Sequence, residues 1–197
     1  KTQPLSDYAA QRRGGRGKSA TTLREDDYIR LMLATSMHQT VMLFTTAGKV
    51  YWLNVYDLPT GTRVARGKPV QNYIQLVPGE EVTAILPVRD YKEDEYIFMA
   101  TRYGVVKRTQ LSLFSNQRSA GLIAIALADG DGLIGCGITD GKSNVMLFTS
   151  NAKAIHFDEK TVRPMGRQAH GVRGIKLTDD AVVRSLVISP PGGEVLC

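Results

Sequence analysis

Cysteine is nearly absent from this chain of 197 residues, which holds only Cys136 and Cys197. Two distant thiols without a Cys-x-x-Cys spacing make neither a disulfide framework nor a zinc cluster, and Cys136, set between Gly135 and Gly137, reads as a small buried strand residue. Long apolar runs are missing too. None reaches the roughly 18 residues a membrane-spanning helix needs, and the N-terminus has no apolar core of a secretory signal. A cytosolic protein without a membrane partner is expected. No segment carries a convincing helical period. The signatures of catalysis are also lacking: there is no Gly-x-Ser-x-Gly elbow and no Cys/His pair. His38, His156 and His170 lie far apart, with no second ligand at metal spacing. Carboxylates cluster only in Asp90-Tyr91-Lys92-Glu93-Asp94-Glu95, a solvated loop by composition. Asp129-Gly130-Asp131-Gly132 opens like a calcium loop, but no bidentate Glu follows at the required distance, so it reads as a tight turn. Gly17-Lys18-Ser19 lacks the earlier glycine of a phosphate-binding P-loop, because that position is Arg12. Neither a metal site nor a catalytic residue is expected.

What the chain has is a moderate basic excess, 25 Lys and Arg against 19 Asp and Glu, for a net charge of +6 and a pI near 9.4. That balance suits an acidic partner such as nucleic acid. Placement says more than the total. Gln11-Arg12-Arg13-Gly14-Gly15-Arg16-Gly17-Lys18 puts four cations and three glycines into eight residues with no apolar side chain. Glycines let the backbone take positive φ and approach a surface closely, and guanidinium forks pair bidentately with phosphate oxygens. The segment is suited to grip a polyanion.

The architecture shows in self-comparison. Val41-Met42-Leu43-Phe44-Thr45 recurs identically at Val145-Met146-Leu147-Phe148-Thr149, and Tyr96-Ile97-Phe98-Met99-Ala100-Thr101 holds the corresponding place between them. Each run is followed by a turn signal (Ala47-Gly48, Tyr103-Gly104, Asn151-Ala152) and a second strand-like run, which predicts a β-hairpin per unit. A third apolar segment closes each unit: Tyr28 to Leu33, Val82 to Leu86, Leu133 to Ile138, and Val182 to Ile188. Repeats of about fifty residues built from short strands read as blades of a propeller-like array, in which each small sheet stacks on its neighbours. Lys1 through Tyr8 aligns with the second hairpin strand of a unit, and Gly193 to Cys197 resembles an opening strand. The expectation is therefore an all-β fold of four-stranded blades, roughly three and a half of them. Their bounds are 1–40 (the end of one blade), 41–90, 95–140 and 144–190, with 193–197 starting the next. Trp52, Tyr51, Phe44, Phe98 and Phe148 fall at strand positions and are expected to pack between blades rather than to stack bases.

The basic segment joins this repeat, because Arg63, Arg66, Gly67 and Lys68 stand at one constant offset from Arg13, Arg16, Gly17 and Lys18. Arg118 and, further on, Arg167 and Arg173 hold similar places in the next two units. Successive blades would present cations from equivalent loops along a rim, as bending a duplex demands.

Residues 11–17 resemble, at every position, the Q-R-R-G-G-[RK]-G box of the DNA gyrase A family. The resemblance implies a β-pinwheel, a propeller relative whose blades exchange strands, acting as a C-terminal domain that binds duplex DNA without reading sequence and wraps it chirally. It implies membership of a bacterial, cytoplasmic, nucleoid-associated type II topoisomerase with two A and two B subunits, in which the partners are DNA together with the B subunit plus a second A subunit. ATP and Mg2+ would belong to other parts of that enzyme, so no cofactor is expected in this domain. The family's catalytic tyrosine follows an arginine in a separate core, and Arg102-Tyr103 sits in a hairpin turn instead. Alternatives are the equivalent domain of topoisomerase IV, which typically lacks an intact box, and a propeller-like protein-interaction scaffold.

Overall fold

The computed structural model describes residues 1–8, 10, 12–17, 28–29, 31–178 and 180–195. Gln11, Lys18 and Cys197 lie outside them. Among the described residues every regular element is a β-strand or a short 3₁₀ turn. Among the described residues no helix is long and apolar enough to cross a membrane.

Three sheets carry the fold. In the first, β1 (Thr40–Thr45) and β2 (Lys49–Asn54) form a hairpin, and β3 (Val82–Val88) pairs with the other edge of β1. The second repeats the plan with β4 (Tyr96–Thr101) and β5 (Val105–Gln110). Next come β6 (Leu122–Ile123) and β7 (Leu133–Thr139), and only β7 pairs with β4. The third holds β8 (Asn144–Thr149) and β9 (Ala154–Asp158), followed by β10 (Val172–Arg173) and by β11 (Val183–Ser189), which pairs with β8.

The two short strands do not join their own units. β6 pairs with β2, with Lys49 opposite Ile123 and Val50 opposite Leu122. β10 pairs with β5, with Val172 opposite Val106 and Arg173 opposite Val105. The first two blades thus each receive a fourth strand from the unit that follows, which is the exchange a pinwheel requires. The sheet orders are β3-β1-β2-β6, β10-β5-β4-β7 and β11-β8-β9. The third sheet has three strands, not the expected four, because no described segment pairs with the free edge of β9.

Hairpin glycines make the exchange possible. The carbonyl of Gly48 accepts from the amides of Ala124 and Ile125, and that of Gly104 from Gly174 and Ile175. A Cβ on Gly48 would stand 2.7 Å from the Ile125 carbonyl oxygen. The donated segment lies too close for any side chain.

Burial follows the stacking. Met42, Phe44 and Val50 of the first sheet pack against Ile97, Met99, Leu111, Phe114 and Leu133 of the second unit, and Phe44 meets Phe114 edge to face at 6.2 Å. From the other face of the second sheet, Phe98, Ala100 and Val106 meet Val145, Leu147 and Val183. Each large side chain so enclosed stabilises the fold by about 1.5–3 kcal/mol. A sheet covered on both faces needs apolar residues at every strand position, not at alternate ones. The runs at β1 and β4 meet that need.

Two sequence expectations change. The segment from Tyr28 to Leu33 forms no strand at its described positions, and Tyr28, Leu31 and Met32 are exposed. In the other units this segment pairs with the first hairpin strand of its own unit, and no such strand stands before Tyr28 among the described residues. Residues 193–195 likewise carry no strand.

Candidate nucleic-acid interface

The basic box folds as a turn. The amide of Gly15 donates to the carbonyl of Arg12 at 3.1 Å, and Gly14 takes φ +85°, the left-handed conformation that the third position of a type II turn demands. Gly17 also has positive φ, +69°. A Cβ at either glycine would meet nothing, and residues 12–17 are all exposed. Three guanidinium groups therefore stand on an open loop that contributes almost nothing to a core.

A four-residue turn closed by the same hydrogen bond recurs at this place in each unit, although only the 12–15 turn has a left-handed third residue. Ala65 donates to Thr62 at 3.1 Å, Gly121 to Arg118 at 3.0 Å, and Ala169 to Gly166 at 3.2 Å. Hairpin register places 62–65, 118–121 and 166–169 at one point of the repeat, and the 12–15 turn at the same offset before them. Arg12 and Arg118 open their turns, whereas Arg13, Arg63 and Arg167 occupy the second position. Arg66 corresponds to Arg16, and His170 takes that place in the last unit. Arg173 lies on β10, just past its turn. The 118–121 and 166–169 turns directly precede β6 and β10. The cations thus gather where one blade hands a strand to its neighbour.

Their surroundings differ. Arg66, Lys68, Arg118 and Arg173 are exposed. Arg63 is half-buried and donates to the carbonyl of Asp7, so part of its hydrogen-bonding capacity is structural. Arg167 is half-buried as well, and its guanidinium has no hydrogen-bond partner among the described residues.

Sequence reasoning missed two charged groups at the seams. Lys107, in the middle of β5, is fully buried. Its ammonium donates to the carbonyl of Ala124 at 2.8 Å and to that of Arg167. Burial, reinforced by the nearby Arg167 charge, lowers its pKa to about 8. Glu159 is also fully buried. It accepts from the Thr139 hydroxyl at 2.6 Å and the Ser143 amide at 2.6 Å, and pairs with Arg108 at 3.7 Å. Arg108 in turn lies over the Tyr96 ring, 4.6 Å from its centroid. A lysine or glutamate inside a strand pattern ordinarily signals a solvated face, so only the repeat register could have marked these two. The apolar Val55 and Leu111 stand where Glu159 does.

The remaining motifs have structural uses. Asp131 accepts from the amides of Tyr103 and Gly132, which locks the Asp129–Gly132 turn onto the second hairpin. Among the described residues no group of three His, Cys, Asp or Glu could hold a metal ion. His38, His156 and His170 are exposed. Cys136 lies on β7 and is half-buried rather than buried as expected, and desolvation of its thiol still pushes the pKa well up.

Comparison with known proteins places this arrangement. The family model described as the DNA gyrase C-terminal domain, a β-propeller, matches residues 1–36, 39–89, 95–140 and 143–190. The DNA gyrase A subunit of Salmonella typhimurium is 51% identical over 196 residues, covering 100% of this chain and 22% of that protein. Its Haemophilus influenzae counterpart is 52% identical over 177 residues, 90% of this chain and 20% of its own length. The chain thus spans about a fifth of these relatives. Among solved structures, the C-terminal domain of DNA topoisomerase IV superposes with a TM-score of 0.78 at 29% identity, covering 86% of this chain and 53% of that one. The DNA gyrase A C-terminal domain gives 0.69 at 26% identity, covering 93% and 59%. With four successive repeats matched along nearly its whole length, this chain belongs to the DNA gyrase C-terminal domain family of β-propellers.

Proposed function

We propose that this chain binds duplex DNA without regard to sequence and wraps it, as part of the A subunit of a gyrase that introduces negative supercoils. The observation that carries the reading is that a cation-bearing four-residue turn stands at the same place in every unit. Smooth bending of a duplex costs of order 1–6 kcal/mol over 20–30 base pairs, and a row of phosphate contacts offsets it. The turns supply such a row. Among the described residues no helix suited to a major groove accompanies them, so the contacts position the backbone rather than read bases.

The DNA-contacting set is Arg12, Arg13, Arg16, Arg63, Arg66, Lys68, Arg118, Arg167 and Arg173, with Gln11 opening the box and Lys18 following it. Gly14, Gly15 and Gly17 shape the loop. The chain itself supplies neither cofactor nor catalytic group in this reading. ATP and Mg2+ are used elsewhere in a cytoplasmic, nucleoid-associated assembly that also holds the B subunit plus a second A subunit. The likeness to topoisomerase IV favours that enzyme as a second reading, but the intact 11–17 box argues for gyrase.

A salt series of duplex affinity tests the proposal. Affinity should fall steeply with salt and vary little among duplexes of equal length. Replacing Arg12, Arg13 and Arg16 by Ala should flatten the log-affinity against log-salt slope by up to about 2.7, at roughly 0.9 per lost phosphate contact. Salt-independent binding, or strong preference for one short sequence, would refute it.

A further inference from the structure

Lys107 is a cation without a counter-charge. Ammonium groups are almost never fully buried unless paired, yet no carboxylate among the described residues forms an ion pair with it. Its partners are two carbonyl oxygens, one of them that of Arg167, and the charge that acts on it is another cation, the Arg167 guanidinium. Taking such a charge out of water costs several kcal/mol. A leucine would fill the strand position without that cost.

The repeat shows what the position does. The parallel bridge between Thr2 and Thr60 is the counterpart of the one between Arg108 and Pro164, so Lys1, Tyr51 and Lys107 occupy one place in successive hairpins. The Lys1 ammonium donates to the carbonyls of Thr62 at 2.8 Å, Arg63 at 3.0 Å and Ala65 at 2.8 Å, all in the turn of the following unit. The Tyr51 ring packs so closely under the 118–121 turn that a Cβ on Gly121 would stand 2.7 Å from it. In each of the three cases the side chain supports the basic turn donated by the next blade.

We propose that Lys107 is a positioning residue for phosphate contact: from beneath the 166–169 turn it fixes the backbone of Arg167, and the counter-charge the protein does not provide is a phosphate of the bound duplex. This rests on the reading of the turns as DNA contacts. Two adjacent, unneutralised cations repel each other in the free protein, and an anion set over the turn removes that repulsion. The ammonium is enclosed, so it acts through the turn and through its field and does not touch DNA.

A double-mutant cycle in the full-length protein tests this, with a duplex as probe and a salt series as readout. Arg167→Ala should flatten the salt slope by about 0.9, the value for one phosphate contact. Lys107→Met should flatten it equally although its side chain cannot reach DNA, and the double variant should be no flatter than Arg167→Ala alone. Hydrogen exchange at the Ala169 amide, which closes the turn, should quicken in Lys107→Met. Should that variant not fold, Lys107→Gln, which keeps an amide donor and loses the charge, is read in the same cycle. Additive slopes, or a slope unchanged by the loss of Lys107, overturn the inference while leaving DNA binding standing. A wild type that binds duplex without salt dependence overturns both.

Discussion

Gly48, Gly104 and Ala152 hold one position in three hairpin turns, with φ of +71°, +83° and +59°. Ala152 is the only non-glycine with positive φ among the described residues. A left-handed conformation costs an L-residue roughly 1–2 kcal/mol, while glycine carries more chain entropy in the unfolded state, worth about 0.4–1 kcal/mol. Ala152→Gly should therefore stabilise the protein slightly, by about 0.5–1 kcal/mol, and raise the urea midpoint. Gly104→Ala is the opposite case. Its new Cβ would stand 2.8 Å from Ile175 Cγ2 and 3.1 Å from the Ile175 carbonyl oxygen, on the backbone that follows the donated strand. That substitution should cost more than the conformational strain alone, at least 2 kcal/mol. A Gly104→Ala variant with an unaltered midpoint would mean that the donated segment does not sit against the turn.

At the level of elements, the hairpins were legible in the strand pattern, whereas the exchange between them followed only from the resemblance that the box carries. Val41–Thr45, its copy at Val145–Thr149 and the turns after them announce strands through unbroken apolar runs ended by turn residues. β6 and β10 span two residues each, and their pairing is fixed by β2 and β5, far back in the chain. No local period marks so short a strand. Of the candidate contacts, the box was legible because nothing in it can enter a core, whereas the engagement of Arg63 by Asp7 joins residues a whole unit apart. The buried Glu159 belongs to the same class. It joins the 3₁₀ turn after β9 to Thr139 at the end of β7 and to Arg108 on β5, and so ties the third blade to the second. Glu159→Leu restores the apolar type found at Leu111 but leaves Arg108 without its counter-charge and the Thr139 hydroxyl and Ser143 amide without their acceptor. The single change should cost about 3–5 kcal/mol. Arg108→Leu combined with Glu159→Leu should recover much of that loss, since both charges are then gone. Urea melts of the two variants decide it. A double variant no more stable than the single would show that the pair holds the blades together by more than mutual neutralisation.

Across the molecule, the identical Val-Met-Leu-Phe-Thr runs have different fates. In β1 all five residues are buried, whereas in β8 Met146 and Phe148 are only half-buried, because the third sheet is covered on one face. Position within the array, not local sequence, sets burial, and the same holds for charge. Every blade seam lifts a basic turn to the surface, and the 12–15 turn, with guanidinium groups at 12, 13 and 16, carries the densest cluster. If a duplex runs from seam to seam, its bending strain rises with each contact, and the strongest grip is needed where the strain must be held. Arg66→Ala with Lys68→Ala removes exposed cations from one intermediate seam and spares Arg63, whose bond to Asp7 would confound the result with stability. The expected outcome is a nuclease footprint with a gap or weakened protection at one interval, while total protected length falls only modestly. Removing Arg12, Arg13 and Arg16 should instead release one end, shortening the footprint from that side while the rest remains protected at low salt. Both variants should melt with the wild type, since none of these side chains is buried. Equal, uniform weakening of the footprint in the two variants would mean that the turns act as a diffuse positive surface, and that the duplex does not follow the ordered path the repeat lays out.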